Sequence, residues 1–272
     1  MSAFELGPAI LFCPADRPER YTKAAERADA VILDLEDAVA KSAKAQARKD
    51  LVANPLDPAR TIVRVNPAGT DDFIEDLNAL RRTDYNQLML AKAEQVSDFE
   101  RLSGFAVTAL CETARGVANA TDIADVHGVV ALMWGAEDLV ASLGGTSSRF
   151  PDGQYREVAK YARSQVLIAA GSAHKAAIDS VFVNIPDLEG LRAESEDAVA
   201  SGFAAKAAIH PNQVAVIREA YAPSAEEVAT ARALLDAARA SGQGVFEYQG
   251  SMVDGPILRH AESVVRRAKP AS

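Results

Sequence analysis

Eight short apolar runs recur along the chain up to residue 210, separated by stretches with helical spacing, and this alternation leaves few folds open. The runs are AILFCPA (9–15), AVILDLED (30–37), TIVRVN (61–66), QLMLAKAE (87–94), AVTALCET (106–113), VVALMWGAED (129–138), SVFVN (180–184) and AKAAIH (205–210). They are too continuously apolar to turn one face to water, as expected of parallel strands covered on both sides. Between them lie ERYTKAAER, KSAKAQARKDLVA, DDFIEDLNAL, VSDFERL, YREVAKYARSQVLIAAGSAH and DLEGLRAESEDAVASG, all with helical character. Eight β-then-α units within 272 residues predict an α/β fold, the closed parallel (β/α)8 or TIM barrel. An open doubly wound sheet is the alternative, but no G-x-G-x-x-G follows the first run.

We expect residues 1–222 to form the barrel and residues 223–272 a C-terminal helical extension and lid. PSAEEVATARALLDAARASGQG opens with Pro223 and Ser224, with Glu227 in capping-box position, and ends in a glycine-rich break. A glycine-flanked loop and a last helix starting near Pro256 follow.

A net charge of −9 without a compensating basic stripe argues against nucleic acid as a partner. The cluster Arg266, Arg267 and Lys269 reads as a helix C-terminus biased against its dipole. No run approaches the ~20 apolar residues that span a bilayer, and the N-terminus lacks a basic leader and cleavage site, so a cytoplasmic location is expected. Cys13 and Cys111 both sit within apolar runs with no CxxC spacing, and read as reduced, buried small residues.

Active sites in this barrel lie at the C-terminal ends of the strands. There the sequence sets Glu36 and Asp37, Arg64 and Asn66, Lys92 and Glu94, Glu112, Glu137 and Asp138, Asn184 and His210. Charges of both signs converging on one mouth form either a salt-bridged plug or a site, and so many carboxylates favour a site. Glu112 and Asp138 close neighbouring runs and could share a hard divalent cation, Mg²⁺ or Mn²⁺, because oxygen-only ligation does not suit zinc. The plainer alternative is that both cap the helices that follow.

With these residues assembled, the sequence resembles the citrate lyase beta-subunit-like branch of the HpcH/HpaI aldolase family, alongside malyl-CoA and citramalyl-CoA lyases. The resemblance rests on FCPADRPERYTKA, ILDLEDAV, the arginine of VRVN, LCETARG, MWGAEDL, IHPNQ and GSMVDGP. It implies a Mg²⁺-dependent (β/α)8 barrel that assembles as a homotrimer or hexamer. It also implies reversible carbon–carbon cleavage of a 3-hydroxyacyl-CoA of the citramalyl-CoA, malyl-CoA or methylmalyl-CoA type into an acyl-CoA and a 2-oxo acid.

In that reading Glu112 and Asp138 hold the metal, Glu112 also borders the substrate, and Arg64 faces the enolate oxygen and the substrate carboxylate. Glu36 and Asp37 support catalysis by orienting metal-bound water and Arg64; an ion pair from Arg64 to either is the structural alternative. Asp254 matches the carboxylate that the family lends to a neighbouring subunit's mouth, although on sequence alone it is a turn residue before a Gly-Pro helix start. Arg17 and Lys23 are expected at the phosphate-bearing end of coenzyme A, Lys92 either joins them or pairs with Glu94, and His210 lines the substrate. Two other readings stay open: a citrate lyase beta subunit acting on citryl groups of an acyl carrier protein, and a silent barrel that only binds CoA.

Overall fold

The computed structural model describes residues 6–268. Its first compact unit ends at Ile217 and its second begins at Arg218. In the first, eight strands pair in sequence order and close into a barrel, parallel throughout. The chain alternates β1 (Ala9–Pro14), α1 (Tyr21–Arg27), β2 (Ala30–Asp34), α2 (Lys44–Ala53), β3 (Thr61–Val65) and α3 (Asp71–Leu80). It continues through β4 (Gln87–Leu90), β5 (Ala106–Cys111), α4 (Ala114–Ala118), α5 (Ala120–Ala124), β6 (Val129–Trp134) and α6 (Ala136–Ser142). The circle is completed by α7 (Glu157–Ser172), β7 (Ala176–Asp179), α8 (Leu188–Ser201) and β8 (Ala205–Ala208), followed by α9 (Pro211–Tyr221). The expected (β/α)8 barrel is therefore the observed architecture.

Side chains two apart on a strand face the same way. Ile10, Ile32, Ile62, Met89, Leu110, Met133 and Ile178 pack together as the buried barrel interior. The same alternation carries Asp34, Arg64 and Glu112, each two residues beyond an interior side chain, into the next layer toward the C-terminal mouth. Register agrees, because Asp34 lies beside Arg64 across β2 and β3.

Residues of the opposite parity point outward, and there lies a buried ionic layer that the strand runs did not announce. Lys206 of β8 is fully buried. Its ammonium donates to Asp179 Oδ2, the Ser180 carbonyl and Glu194 Oε1, each at 2.8 Å. Asp179 also accepts from Trp134 Nε1 at 2.7 Å and Arg163 Nε at 3.0 Å. Each buried charge thus has a partner, which is the condition for tolerating it there.

Three local expectations are corrected. The seventh strand is Ala176–Asp179, not 180–184. The β-branched and aromatic character of SVFVN suggested a strand, but Val183 and Ile185 are exposed, while short AAID pairs with β6 and β8. Asn184 consequently sits on an exposed loop and closes no strand. VSDFERL forms only a 3-10 turn at Val96–Phe99, since a stretch so short cannot repay helix nucleation. Glu137 and Asp138 lie in the first turn of α6 rather than at the end of β6, because Gly135 ends the strand and opens the helix.

The second unit contains α10 (Ala225–Ser241), β9 (Phe246–Tyr248), β10 (Ser251–Val253) and α11 (Gly255–Arg267). The capping box is present: Ser224 Oγ accepts from the Glu227 amide at 3.1 Å and Glu227 Oε2 from the Ser224 amide at 2.7 Å. Gly242 closes α10 at φ 63°, a left-handed conformation that glycine adopts without penalty. Packing of α10 on α11 buries Ala231, Ala261 and Val264. The expected glycine-flanked loop is an antiparallel hairpin of β9 and β10. Arg266 and Arg267 occupy the last turn of α11, as anticipated, and Lys269 lies outside the described residues.

Candidate active site

At the barrel mouth, Arg64 is buried and fixed on two sides. Its Nε donates to Asp34 Oδ1 at 2.7 Å and its Nη2 to Asp34 Oδ2 at 2.6 Å, a bidentate fork. Glu36 Oε2 lies 3.1 Å from Nη1, and the guanidinium stands 5.1 Å from the Phe12 ring centroid. Burial works against the cation, but Asp34 and Glu36 outweigh it and raise its affinity for its proton. The expected ion pair to Glu36 is present. Asp37 points instead to Lys92, and the principal partner, Asp34, was not anticipated.

Lys92 is the hub of the mouth. Its backbone adopts φ 49°, sparsely populated for a residue with a side chain and worth on the order of 1 kcal/mol of strain. In that conformation its amide donates to Glu112 Oε1 at 3.1 Å. The ammonium binds Glu36, lies 2.9 Å from Asp37 Oδ2 and reaches Asp138 Oδ1 at 3.6 Å. Glu94, the other partner considered for Lys92, accepts from Thr113 Oγ1 at 2.9 Å. Burial disfavours the Lys92 charge, yet its carboxylate neighbours raise its proton affinity. In turn Lys92 overrides the effect of burial on Asp37 and lowers that carboxyl.

Neither Glu112 nor Asp138 caps a helix. Thr113 caps α4 by accepting from the Gly116 amide at 3.0 Å, and α6 begins at Gly135 without a side-chain cap. Glu112 is 3% exposed. Its carboxyl is pushed up to about 8, chiefly by burial and further by Asp138 and Glu36, against the opposing pull of Arg64 and Lys92. Around Lys92 stand Glu36, Asp37, Glu112 and Asp138, so carboxylates outnumber the cations Lys92 and Arg64 at this mouth. That excess of negative charge, with Glu112 and Asp138 both against Lys92, fits a divalent cation. Among the described residues no group of three or more His, Cys, Asp or Glu is placed to hold a metal. A cation at Glu112 and Asp138 would accordingly complete its shell with water and substrate oxygens, the habit of Mg²⁺.

Close packing shapes this pair. A β-carbon on Gly135 would fall 2.8 Å from both Glu112 Cβ and Oε2, so only glycine leaves the carboxylate its place. Behind Asp138, the neighbouring Glu137 accepts from buried Ser148 at 2.6 Å, and Ser142 Oγ accepts from the Ala114 amide at 3.0 Å. The first contact ties α6 to the loop at Ser148 and the second ties it to the segment that follows Glu112.

The other expected site residues are less engaged. Arg17 and Lys23 are exposed, Arg17 following β1 with only a 3.8 Å approach to Asp16, and Lys23 on α1. His210, half-buried between β8 and α9, accepts at Nδ1 from the Asn212 amide at 3.2 Å. Asp254 occupies the N-cap position of α11 in the second unit, where its side chain makes no capping hydrogen bond. Asn66 is held by Asp76, which accepts from its amide at 2.9 Å and its Nδ2 at 2.7 Å.

Known proteins resemble the chain closely. The HpcH/HpaI aldolase/citrate lyase model matches residues 9–211. A citrate lyase subunit beta-like protein of Mycobacterium tuberculosis is 52% identical over 266 residues, covering 98% of this chain and 97% of the relative. Human mitochondrial citramalyl-CoA lyase is 31% identical over 293 residues, covering 96% of this chain and 85% of the relative. The crystal structure of M. tuberculosis CitE in complex with magnesium, acetoacetate and coenzyme A superposes with a TM-score of 0.90 at 52% identity, covering 97% of this chain and 98% of that one. Magnesium and coenzyme A, the two ligands expected from the sequence, are thus held by a relative of the same fold.

Proposed function

With the chain a member of the HpcH/HpaI aldolase/citrate lyase family, and so a lyase, we propose that it is a Mg²⁺-dependent acyl-CoA lyase. Its substrate is a 3-hydroxyacyl-CoA of the citramalyl-CoA, malyl-CoA or methylmalyl-CoA type, cleaved reversibly to an acyl-CoA and a 2-oxo acid. One observation carries this reading: Arg64, Glu112 and Asp138 are gathered at one barrel mouth around Lys92.

Breaking the bond leaves an electron pair on the carbon beside the thioester, so the site must stabilise an oxyanion and deliver a proton. Arg64 meets the first need. Asp34 and Glu36 hold its guanidinium in place, so little reorganisation is required as charge develops, and a donor of this kind contributes on the order of 3 kcal/mol to lowering the barrier. Glu112 and Asp138 hold Mg²⁺, which when bound supplies Lewis-acid polarisation of the 2-oxo acid oxygens. Asp254 supplies the proton-exchanging carboxylate, serving the mouth of a neighbouring subunit in a homotrimer or hexamer, and the absence of a capping bond leaves that carboxylate available. Arg17 and Lys23 meet the phosphates of coenzyme A, and His210 borders the substrate.

Purified protein with Mg²⁺ is expected to split citramalyl-CoA or malyl-CoA thioesters, and EDTA to abolish the reaction. Turnover undiminished by chelation removes the metal assignment. Turnover of citryl-acyl carrier protein but of no CoA thioester moves the assignment to a citrate lyase beta subunit, and CoA binding without turnover of any of them to a silent barrel. Asp254→Ala is expected to fold, bind CoA and lose turnover, and a normal kcat in that variant removes its proton-transfer role.

A further inference from the structure

Lys92 was expected either to meet coenzyme A phosphates or to pair with Glu94, yet neither reading accounts for its surroundings. Its ammonium is already shared among Glu36, Asp37 and Asp138, so it is not a free cation awaiting a phosphate. Its backbone is held in the left-handed region, where the amide reaches Glu112 Oε1. One residue therefore touches both carboxylates of the proposed metal pair, Glu112 through its main chain and Asp138 through its side chain.

We infer that Lys92 is the chain's own counter-cation for this acid cluster, holding the pair together and surrendering Asp138 to the divalent cation when that cation binds. The inference rests on the proposed assignment of Glu112 and Asp138 as metal ligands. Asp138 is the contact to be given up. At 3.6 Å it is the longest of the three, beyond hydrogen-bond reach, whereas Glu36 and Asp37 both accept hydrogen bonds from the ammonium. Glu36 and Asp37 keep the ammonium after the exchange, so a positive charge stays close to the metal and opposes it. Lys92 thereby sets an upper limit on metal affinity while keeping the ligands arranged for entry. Like charges a few ångströms apart in a partly buried site repel strongly enough to alter affinity by about a decade or more.

The test is calorimetric titration of Mg²⁺ alone into chelator-stripped protein, with no substrate or turnover. Lys92→Met and Lys92→Gly both remove the ammonium; the glycine variant also relieves the backbone while keeping the amide that serves Glu112, so it guards against misfolding. Both are expected to bind Mg²⁺ about tenfold more tightly than the parent protein. Unchanged or weaker Mg²⁺ binding in folded Lys92→Gly overturns the inference, as does a raised KM for the CoA thioester with unaltered Mg²⁺ affinity. Asp138→Asn separates this failure from that of the underlying reading. Weakened binding in Asp138→Asn with no tightening in the Lys92 variants sinks the counter-cation role alone. Undiminished binding in Asp138→Asn sinks the metal pair and the inference with it.

Discussion

Arg64 and Asp34 face each other across adjacent parallel strands and are joined by two hydrogen bonds of 2.7 and 2.6 Å. Asp34 is fully buried and also receives the Glu36 amide at 2.9 Å and the Ala38 amide at 3.2 Å. It thus fixes both the guanidinium and the loop that carries Glu36 and Asp37. Asp34→Asn retains the shape but loses the charge and one acceptor, leaving a buried guanidinium with Glu36 as its remaining acidic partner. We expect stability to fall by about 3 kcal/mol in urea denaturation. We also expect kcat to fall about tenfold to a hundredfold, as for loss of a preorganised donor. Magnesium affinity should stay near the parent value, which calorimetry checks.

The Glu112 carboxyl gives a pH dependence with a definite sign. Its pKa rises from 4.5 to about 8 on folding, mainly through burial. In that window the metal-free folded state binds a proton that the unfolded chain has released, so raising the pH favours unfolding. The contribution is fully present below the lower value, declines as pH climbs through the window, and is on the order of a few kcal/mol in total. The melting temperature of EDTA-treated protein should fall between about pH 5 and pH 8, and Glu112→Gln should flatten that fall. A parent protein and a Glu112→Gln variant with parallel profiles would show that Glu112 is not the titrating group.

Gly135→Ala probes the geometry without altering any charge. The added methyl group would lie 2.8 Å from Glu112 Cβ and Oε2, so the carboxylate must turn away. With Glu112 as one of the two proposed metal ligands, displacing it by even an ångström is expected to lower the rate by about a hundredfold. The expected result is a folded protein with weakened Mg²⁺ binding and low kcat, read by calorimetry and by thioester cleavage.

The fold was legible because parallel strands covered on both faces leave continuous apolar runs, and eight such runs recur in order. The mouth was legible because polar residues ending those runs have little other reason to be there. Asp34 was missed although the signal existed: counting by two from Ile32 leads to Asp34, whereas the eye settles on the Glu36-Asp37 pair at the end of ILDLED. Strand seven was misplaced because β-propensity favoured SVFVN over AAID, and small alanines gain strand character only from the neighbours they pair with. The hub position of Lys92 depends on a left-handed φ and on contacts from the segments after β2 and β5 and from the first turn of α6, and neither leaves a trace in residue spacing.

Lys206 was hidden for a related reason, since one lysine in AKAAIH reads as the solvent side of a strand. Its ammonium is instead enclosed by Asp179, the Ser180 carbonyl and Glu194, between the barrel and its helices. Glu194 is shared with Arg149, whose Nη2 lies 2.7 Å from Oε2, and Arg149 stacks over Tyr155 at 3.6 Å. Asp179 is likewise shared with Arg163 and Trp134. Lys206→Met therefore leaves both acids partly compensated, so the loss should fall at the low end for breaking a buried pair, about 3 kcal/mol. Because Lys206 faces away from the barrel interior, Mg²⁺ affinity should be unchanged at temperatures where the variant is folded. Urea denaturation measures the first quantity and calorimetry the second. A stable variant would mean that Arg149 and Arg163 suffice for the two acids, and a variant that is folded but fails to bind Mg²⁺ would mean that this outer layer positions the mouth.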